Sequence, residues 1–586
     1  MKTIEILNEI NTPEDIKKLS IEQMNILSDE IRKGILNRVN KIGGHLGPDL
    51  GFVEATIALH YVFNSPVDKF VFDVSHQIYP HKIITGRKKG FISENIDELF
   101  SITGYSNPTE SKHDNFVIGH TSTSVSLATG IAKARDLKNE SYNVIAIIGD
   151  GSLSGGEAFE GLNNAATLNS NFIVLVNDNE MSIAENHGSL YKNLEELRVS
   201  KGTASNNFFK ALGYDYTYLE EGNDISSLIE TLKKVKDCKK PTVVHIHTLK
   251  GKGYKPAETN KEQYHWCLSG FLDNSEYEAS ETYASITKDF ILDKKSKNEP
   301  VIAIAAATPG IFEFDSDFRN KLGKNYTDVA IAEEHAVAYT SALAKNGAKP
   351  ILSLMSSFIQ RTYDQLSQDL ALNNSPAVIL VYWGGISPMD ATHTGVFDIP
   401  LISNIPNIVY LAPSNKEEYL AMLNYAYDQN ERPVAIRVPF YPLISTGQKD
   451  FTDYSVLNKS KSVIKGKDIA IIAVGHFMNI GYEIVEGLKE KGINPTLINP
   501  KFLTGIDEAL LNDLINDHKL VITLEDGILD GGYGEKISRF YSNKNIKVLN
   551  YGANKEFTDR VPAEVLYERY HLTKDLILKD IEKNYN

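Results

Sequence analysis

Cysteine is nearly absent: the 586 residues include two, Cys238 and Cys267, far apart in sequence. That excludes a disulfide framework and a cysteine-based zinc site. Long apolar runs are missing too. None approaches the ~18 residues that a membrane span needs, and Met1-Lys-Thr-Ile-Glu5 lacks the apolar core of a signal peptide. A cytoplasmic protein with no membrane partner is expected. Positive charge is in deficit, since 61 Lys and Arg face 76 Asp and Glu for a net charge of −15. Such a balance does not suit a nucleic-acid or anionic-membrane binder, and an anionic ligand requires a local basic pocket. The Lys-rich run from Lys233 to Lys240 follows a helical pattern, Ile225 to Leu232, and reads as a solvated helix end. Short-period repeats and low-complexity tracts are lacking.

What is present is a pair of strand-end motifs. Asn143 to Ile148 is an apolar run that leads into Gly149-Asp150-Gly151, and Phe172 to Val176 leads into Asn177-Asp178-Asn179. Between them, Gly156 to Leu168 has helical spacing of Phe159, Leu162, Ala165 and Ala166. This is a strand-helix-strand unit. It places Asp150 and Asn179 at carboxyl ends of neighbouring strands, where α/β sheets bind ligands. Magnesium takes oxygen ligands and accompanies phosphate oxygens, and the glycines allow close backbone approach. Gly155-Gly156 then opens a helix whose N–H groups suit an anion. The pairing points to thiamine diphosphate with Mg²⁺.

Hydrophobic content of 42% and charged content of 23% suit a globular chain long enough for three or four domains. Residues 1–285 read as a first α/β domain, with helical patterns at Ile16 to Leu19 and Ile21 to Ile35 and a later strand, Thr242 to His247. A polar stretch begins near 272, and residues 286–298 read as a linker. Residues 299–450 form a second α/β domain with strands at Val301–Ile304, Asp328–Ile331, Pro350–Leu354 and Ala377–Val381. Residues 460–586 form a third, beginning with the strand Ile469–Ala473. The expected fold is α/β, three doubly wound domains in series.

The whole chain resembles the 1-deoxy-D-xylulose-5-phosphate synthase family of transketolase-like enzymes. The resemblance lies in Gly43-Gly44-His45-Leu46-Gly47, in Asp73-Val-Ser75-His76-Gln-Ile-Tyr79-Pro80-His81-Lys82, in Gly119-His120-Thr121-Ser122-Thr123-Ser124, in Lys250-Gly-Lys-Gly253-Tyr254 and in Ile331-Ala332-Glu333-Glu334-His335-Ala336. Ser75 replaces a family glycine. The diphosphate motif precedes the Glu-bearing domain, which is the transketolase order rather than that of pyruvate decarboxylase.

The resemblance implies roles for these residues. Asp150, Asn179 and Met181 hold Mg²⁺. His76, Gly119, His120, Thr121, Gly151, Ser152, Asn179 and Tyr254 bind or line the cofactor, Phe358 stacks on its aminopyrimidine, and Glu333 hydrogen-bonds that ring. His45, His265, His393 and Asp390 face the substrates and move protons. The implied reaction is decarboxylative condensation of pyruvate with D-glyceraldehyde 3-phosphate by a homodimer. A synthase-like paralogue using another aldehyde, and a two-carbon transketolase, are the alternatives.

The acceptor end departs from the family. One family arginine falls on Tyr382 or Trp383, and a second becomes Phe440. The family's DRAGIVG-D-G-x-TH stretch aligns with Asp390 or with Met389 at its Asp. Arg binds phosphate through two parallel hydrogen bonds, so other contacts are needed; Arg361, Arg437 and Tyr382 are the candidates. A long family segment after Asn179 is also shortened, with about 20 residues from Leu190 to the helix near Phe208.

Overall fold

Strands whose every residue is apolar form only where helices cover both faces of a parallel sheet, and that is the pattern in this computed structural model. It describes residues 5–273 and 280–585. By its contacts the chain divides into two units, Met1–Glu278 with Ala330–Ala332, and Ala279–Val329 with Glu333–Asn586.

The strands of the first unit are β1 (Gly44–His45), β2 (Lys69–Phe72), β3 (Val144–Gly149), β4 (Ile173–Asp178), β5 (Asp215–Leu219), β6 (Thr242–His247) and β7 (Trp266–Cys267). Five form a parallel sheet in the order β2-β3-β4-β6-β5. All six residues of β3 and of β4 are buried. The helix Ile21–Ile42 packs Met24, Leu27, Ile31 and Ile35 inward; its cap, Ser20, accepts from the Gln23 amide at 3.2 Å. β1 and β7 form a separate antiparallel ribbon with His45 opposite Trp266.

The second unit holds two sheets. The first comprises β8 (Val301–Ala305), β9 (Tyr326–Asp328), β10 (Lys349–Met355), β11 (Val378–Gly384), β12 (Val409–Leu411) and β13 (Val434–Pro439), ordered β12-β13-β11-β10-β8-β9 and parallel throughout. The second comprises β14 (Lys461–Ile464), β15 (Asp468–Ala473), β16 (Thr496–Asn499), β17 (His518–Ile528) and β18 (Lys547–Ala553), ordered β14-β16-β15-β17-β18 with β14 antiparallel at its edge.

Two expectations are corrected. Residues 286–298 are not a linker: Tyr283–Ser296 is a helix, capped by Thr282 and buried through Tyr283, Ile286, Phe290 and Ile291. Its apolar positions are interleaved with lysines, one of which, Lys294, lays its ammonium over the Phe290 and Tyr427 rings at 5.2 and 4.5 Å. Residues 274–279 of the same polar stretch lie outside the described residues. The strand expected at Asp328–Ile331 is Tyr326–Asp328, because Ala330 turns the backbone to φ 63°. No described helix is long and apolar enough to cross a membrane.

Candidate active site

In the first unit the βαβ arrangement places both strand-end motifs side by side. Gly149 pairs with Asn177, and the Asp150 amide donates to the Asn177 carbonyl at 3.1 Å. Asp150 is buried, and one carboxylate oxygen accepts from the Asn186 amide at 2.7 Å. Burial, together with the charge of Asp178, pushes the Asp150 carboxyl above its usual range. The Oδ1 of Asn179 is buried without a hydrogen-bond partner. Met181 pairs with Glu185 in the short loop that follows. Gly151 and Ser152 lie in the turn Gly151–Ser154, and a Cβ on Gly151 would meet the Ser182 hydroxyl at 2.8 Å. That close approach requires glycine.

The loop carrying Gly119, His120 and Thr121 leads into the helix Ser124–Leu137. Its end is fixed by buried Asp73, which accepts from the Ser122 and Ser124 amides at 2.8 and 2.9 Å. Ser75 adopts φ 61°, the left-handed region that favours glycine. Its hydroxyl offsets the strain by donating to the Ile118 carbonyl and accepting from the Ser106 amide at 3.1 Å.

His45, His76 and His265 converge. Their ring centroids lie 5.6 Å apart for His45 and His265, 5.7 Å for His76 and His265, and 5.9 Å for His45 and His76. Burial, reinforced by the Lys250 charge, lowers His76 to about 3 and takes His265 well below the usual histidine range. Both are neutral at neutral pH. Lys250, which the sequence shows only as part of a motif, is the basic group of this cluster. Its ammonium donates to the Ser182 carbonyl at 2.5 Å and meets His265 Nδ1 at 3.0 Å, and burial lowers it to about 7. With Nδ1 accepting, the remaining proton of His265 sits on Nε2. Tyr254 lies edge-on to Tyr264 and Phe271, with centroids at 5.7 and 6.1 Å.

In the second unit Glu333 opens the helix Glu333–Lys345. It is 4% exposed, and burial raises its pKa against the opposing pull of Arg361, whose guanidinium lies 3.5 Å from Oε2. Phe358, just after β10, stands edge-on to His393 at 5.5 Å. His393 Nδ1 is 3.2 Å from Asp390 Oδ1. Burial would raise Asp390, but the bond and charge of His393 and the bonds from Thr392 outweigh it and hold the carboxyl well below its usual range.

Two of the candidate phosphate contacts are corrected. Arg437 is not free to bind a ligand: it is 3% exposed, its Nε lies 2.6 Å from Asp398, and its other nitrogens reach Asp398 and Asp526. Tyr382 is buried in the apolar core against Phe312, at 4.8 Å, with its hydroxyl toward Thr287. Arg361 is engaged with Glu333. Of the positions where the resemblance implies arginines, Tyr382 or Trp383 and Phe440, the last two form an aromatic pair. Trp383, at φ 62° in a bulge of β11, lies edge-on to Phe440 at 5.5 Å. Gly395 allows the loop between to close, since a Cβ there would fall 2.0 Å from the Trp383 carbonyl.

Residues 7–207 and 199–248 match the family model described as 1-deoxy-D-xylulose-5-phosphate synthase. Residues 293–440 match the transketolase pyrimidine binding domain and 458–577 the transketolase C-terminal domain. The fold is thus of the transketolase-like α/β class. The chain is 37% identical to the 1-deoxy-D-xylulose-5-phosphate synthase of Caldanaerobacter subterraneus subsp. tengcongensis over 99% of both chains. It is 37% identical to that of Clostridium tetani, over 97% of this chain and 98% of the relative. A solved transketolase from Leishmania mexicana is 14% identical, covering 97% of each chain with a TM-score of 0.45. The chain belongs to the 1-deoxy-D-xylulose-5-phosphate synthase family.

Proposed function

We propose that this chain condenses pyruvate with D-glyceraldehyde 3-phosphate, releasing CO₂ and giving 1-deoxy-D-xylulose 5-phosphate, with thiamine diphosphate and Mg²⁺. The observation that carries this reading is the placement of Asp150 and Asn179 on adjacent strand ends, in a chain that aligns over its full length with synthases of that name. A buried carboxylate and a buried amide oxygen lacking a partner suit a hard cation. No group of three or more His, Cys, Asp or Glu suited to a metal occurs among the described residues. Backbone, water and phosphate oxygens would complete the shell, as magnesium prefers.

When bound, thiamine diphosphate supplies the carbon nucleophile and the electron sink for decarboxylation. The remaining tasks fall to the chain. Gly151, Ser152, Gly119, His120 and Thr121 border the diphosphate, with His76 and Tyr254 lining the pocket, and Asp150, Asn179 and Met181 hold the cation. Glu333 holds a proton at the aminopyrimidine nitrogen; burial and a raised pKa suit a carboxyl that must share one. Phe358 packs against that ring. His45 and neutral His265 exchange protons with developing alkoxides, and His393, oriented by Asp390, does the same. The same reading makes 1–285 the diphosphate domain, 299–450 the aminopyrimidine domain and 460–586 the C-terminal domain of a cytoplasmic homodimer.

The test is a product assay with carbon-labelled pyruvate, D-glyceraldehyde 3-phosphate, thiamine diphosphate and Mg²⁺, read by mass spectrometry. Labelled deoxyxylulose 5-phosphate is expected. The Trp383–Phe440 pair favours a second acceptor, an aldehyde without phosphate. Labelled CO₂ without the phosphorylated product would select it.

A further inference from the structure

The shortened segment after Asn179 folds as the helix Ser189–Val199, anchored through buried Leu194 and Leu197. Arg198, in its last turn, reaches back beneath the Asn177-Asp178-Asn179 loop. Its guanidinium lies 2.5 Å from Asp178 Oδ2 and 3.9 Å from Glu180 Oε2. Those two carboxylates flank Asn179. Asp178 is fully buried and also meets His245 Nε2 at 2.9 Å, while Tyr216 bonds the other ring nitrogen at 2.8 Å. The Asp178 carboxylate accepts from the Glu180 amide at 3.1 Å, and its carbonyl accepts from the Thr248 amide at 2.9 Å. Glu180 takes a left-handed φ of 67° and is held by His247 at 2.9 Å. The Asp178 carbonyl is thus tied to the backbone of Thr248 and the Glu180 amide to the Asp178 side chain, while Arg198 reaches the carboxylates on both sides of Asn179.

The same segment secures the other strand end. Asn186 donates to the Asp150 carboxylate at 2.7 Å, and the Tyr191 hydroxyl donates to the Gly151 carbonyl at 3.2 Å. The residues after the loop therefore clasp both oxygen-bearing strand ends.

We infer that Arg198 is a positioning residue for the cation: by fixing Asp178 and Glu180 it sets the direction of the Asn179 amide oxygen. This rests on the reading of Asp150 and Asn179 as cation ligands. Arg suits the task because its planar fork can engage two carboxylates, which a lysine ammonium on a flexible stem does poorly. Groups that orient a metal's ligands typically contribute about 10–100-fold to metal affinity.

The test titrates Mn²⁺, in place of Mg²⁺, into the full chain with thiamine diphosphate, read by electron paramagnetic resonance. Arg198→Met is expected to weaken Mn²⁺ binding at least ~10-fold and Arg198→Lys by a smaller factor. Glu195→Ala, an exposed change on the same helix, should leave it unaltered. Circular dichroism of the metal-free variants establishes that they are folded, and should Arg198→Met fail to fold, Arg198→Lys decides. Folded variants that bind Mn²⁺ within twofold of the parent would overturn the inference. A parent protein that takes up no Mn²⁺ would instead remove the reading of Asp150 and Asn179, before any substitution is made, and the inference with it.

Discussion

Glu333, proposed above to hold a proton at the cofactor, carries a cost in stability. Its carboxyl is buried, and burial holds its pKa above the value of the unfolded chain. Ionised Glu333 therefore costs stability, a cost that appears as pH rises past the unfolded pKa and is complete above the folded one. Glu333→Gln should raise the melting temperature of the cofactor-free protein at pH 8, with the difference shrinking toward pH 4. Turnover should fall ~100-fold or more, as expected for loss of a proton-transfer group. Thermal scans at both pH values and steady-state kinetics check this; an unchanged rate would remove the residue from the chemistry. Ser75 gives a second case. Ser75→Ala keeps the strained φ of 61° and loses the hydroxyl's bonds to Val74, Ile118 and Ser106, so it should destabilise by about 1–3 kcal/mol. Denaturant midpoints equal for the two proteins would refute that account. The apolar strand patterns announced the neighbouring strand ends that carry Asp150 and Asn179, whereas the three histidines were named only by the family resemblance. Lys250 was not singled out, because a lysine in a glycine-rich loop reads as solvated; only the structure reveals that its ammonium is buried against His265.

Among the elements, β13 and β17 are joined through a buried ion cluster. Arg437 on β13 is held by Asp398 and by Asp526 on β17, and neither carboxylate is exposed. Arg437→Met leaves two buried carboxylates short of a cation and should cost about 3–5 kcal/mol. Among molecules that remain folded at low temperature, the KM for the aldehyde should not change. A raised KM with an unaltered melting temperature would restore Arg437 as a substrate contact. The same positions explain what sequence patterns captured and missed. The core strands β3, β4, β8, β11 and β15 announced themselves, since burial on two faces demands continuous apolar runs. The helix Tyr283–Ser296 did not, because its narrow apolar stripe is diluted by charged positions. The fate of Arg437 was equally hidden, since its carboxylate partners lie 39 and 89 positions away.

For the molecule as a whole, the scarcity of thiols predicts indifference to redox conditions. Burial raises Cys267 to about 12 and raises Cys238 as well, which disfavours the reactive thiolate. Native protein should react slowly with a disulfide reagent and keep its activity, and both thiols should titrate in denaturant. Activity lost in proportion to modification of the native protein would contradict this. The three sheets follow from alternating strand and helix patterns, which the chain carries along its full length. The Trp383–Phe440 pair is the exception, since it comes from strand ends far apart in sequence.

The small ribbon of β1 and β7 has a bearing on synthesis. It pairs His45 with Trp266 and so brings His45 to the neighbouring His265. The strand that completes the histidine cluster is the last of its unit to be made. As the chain emerges from the ribosome, the βαβ core of β3 and β4 can settle early, whereas the cluster must wait for residues beyond 260. Closing so long a loop is paid in chain entropy before any contact rewards it. A nascent or truncated chain would therefore own the strand ends of Asp150 and Asn179 well before its cluster of histidines.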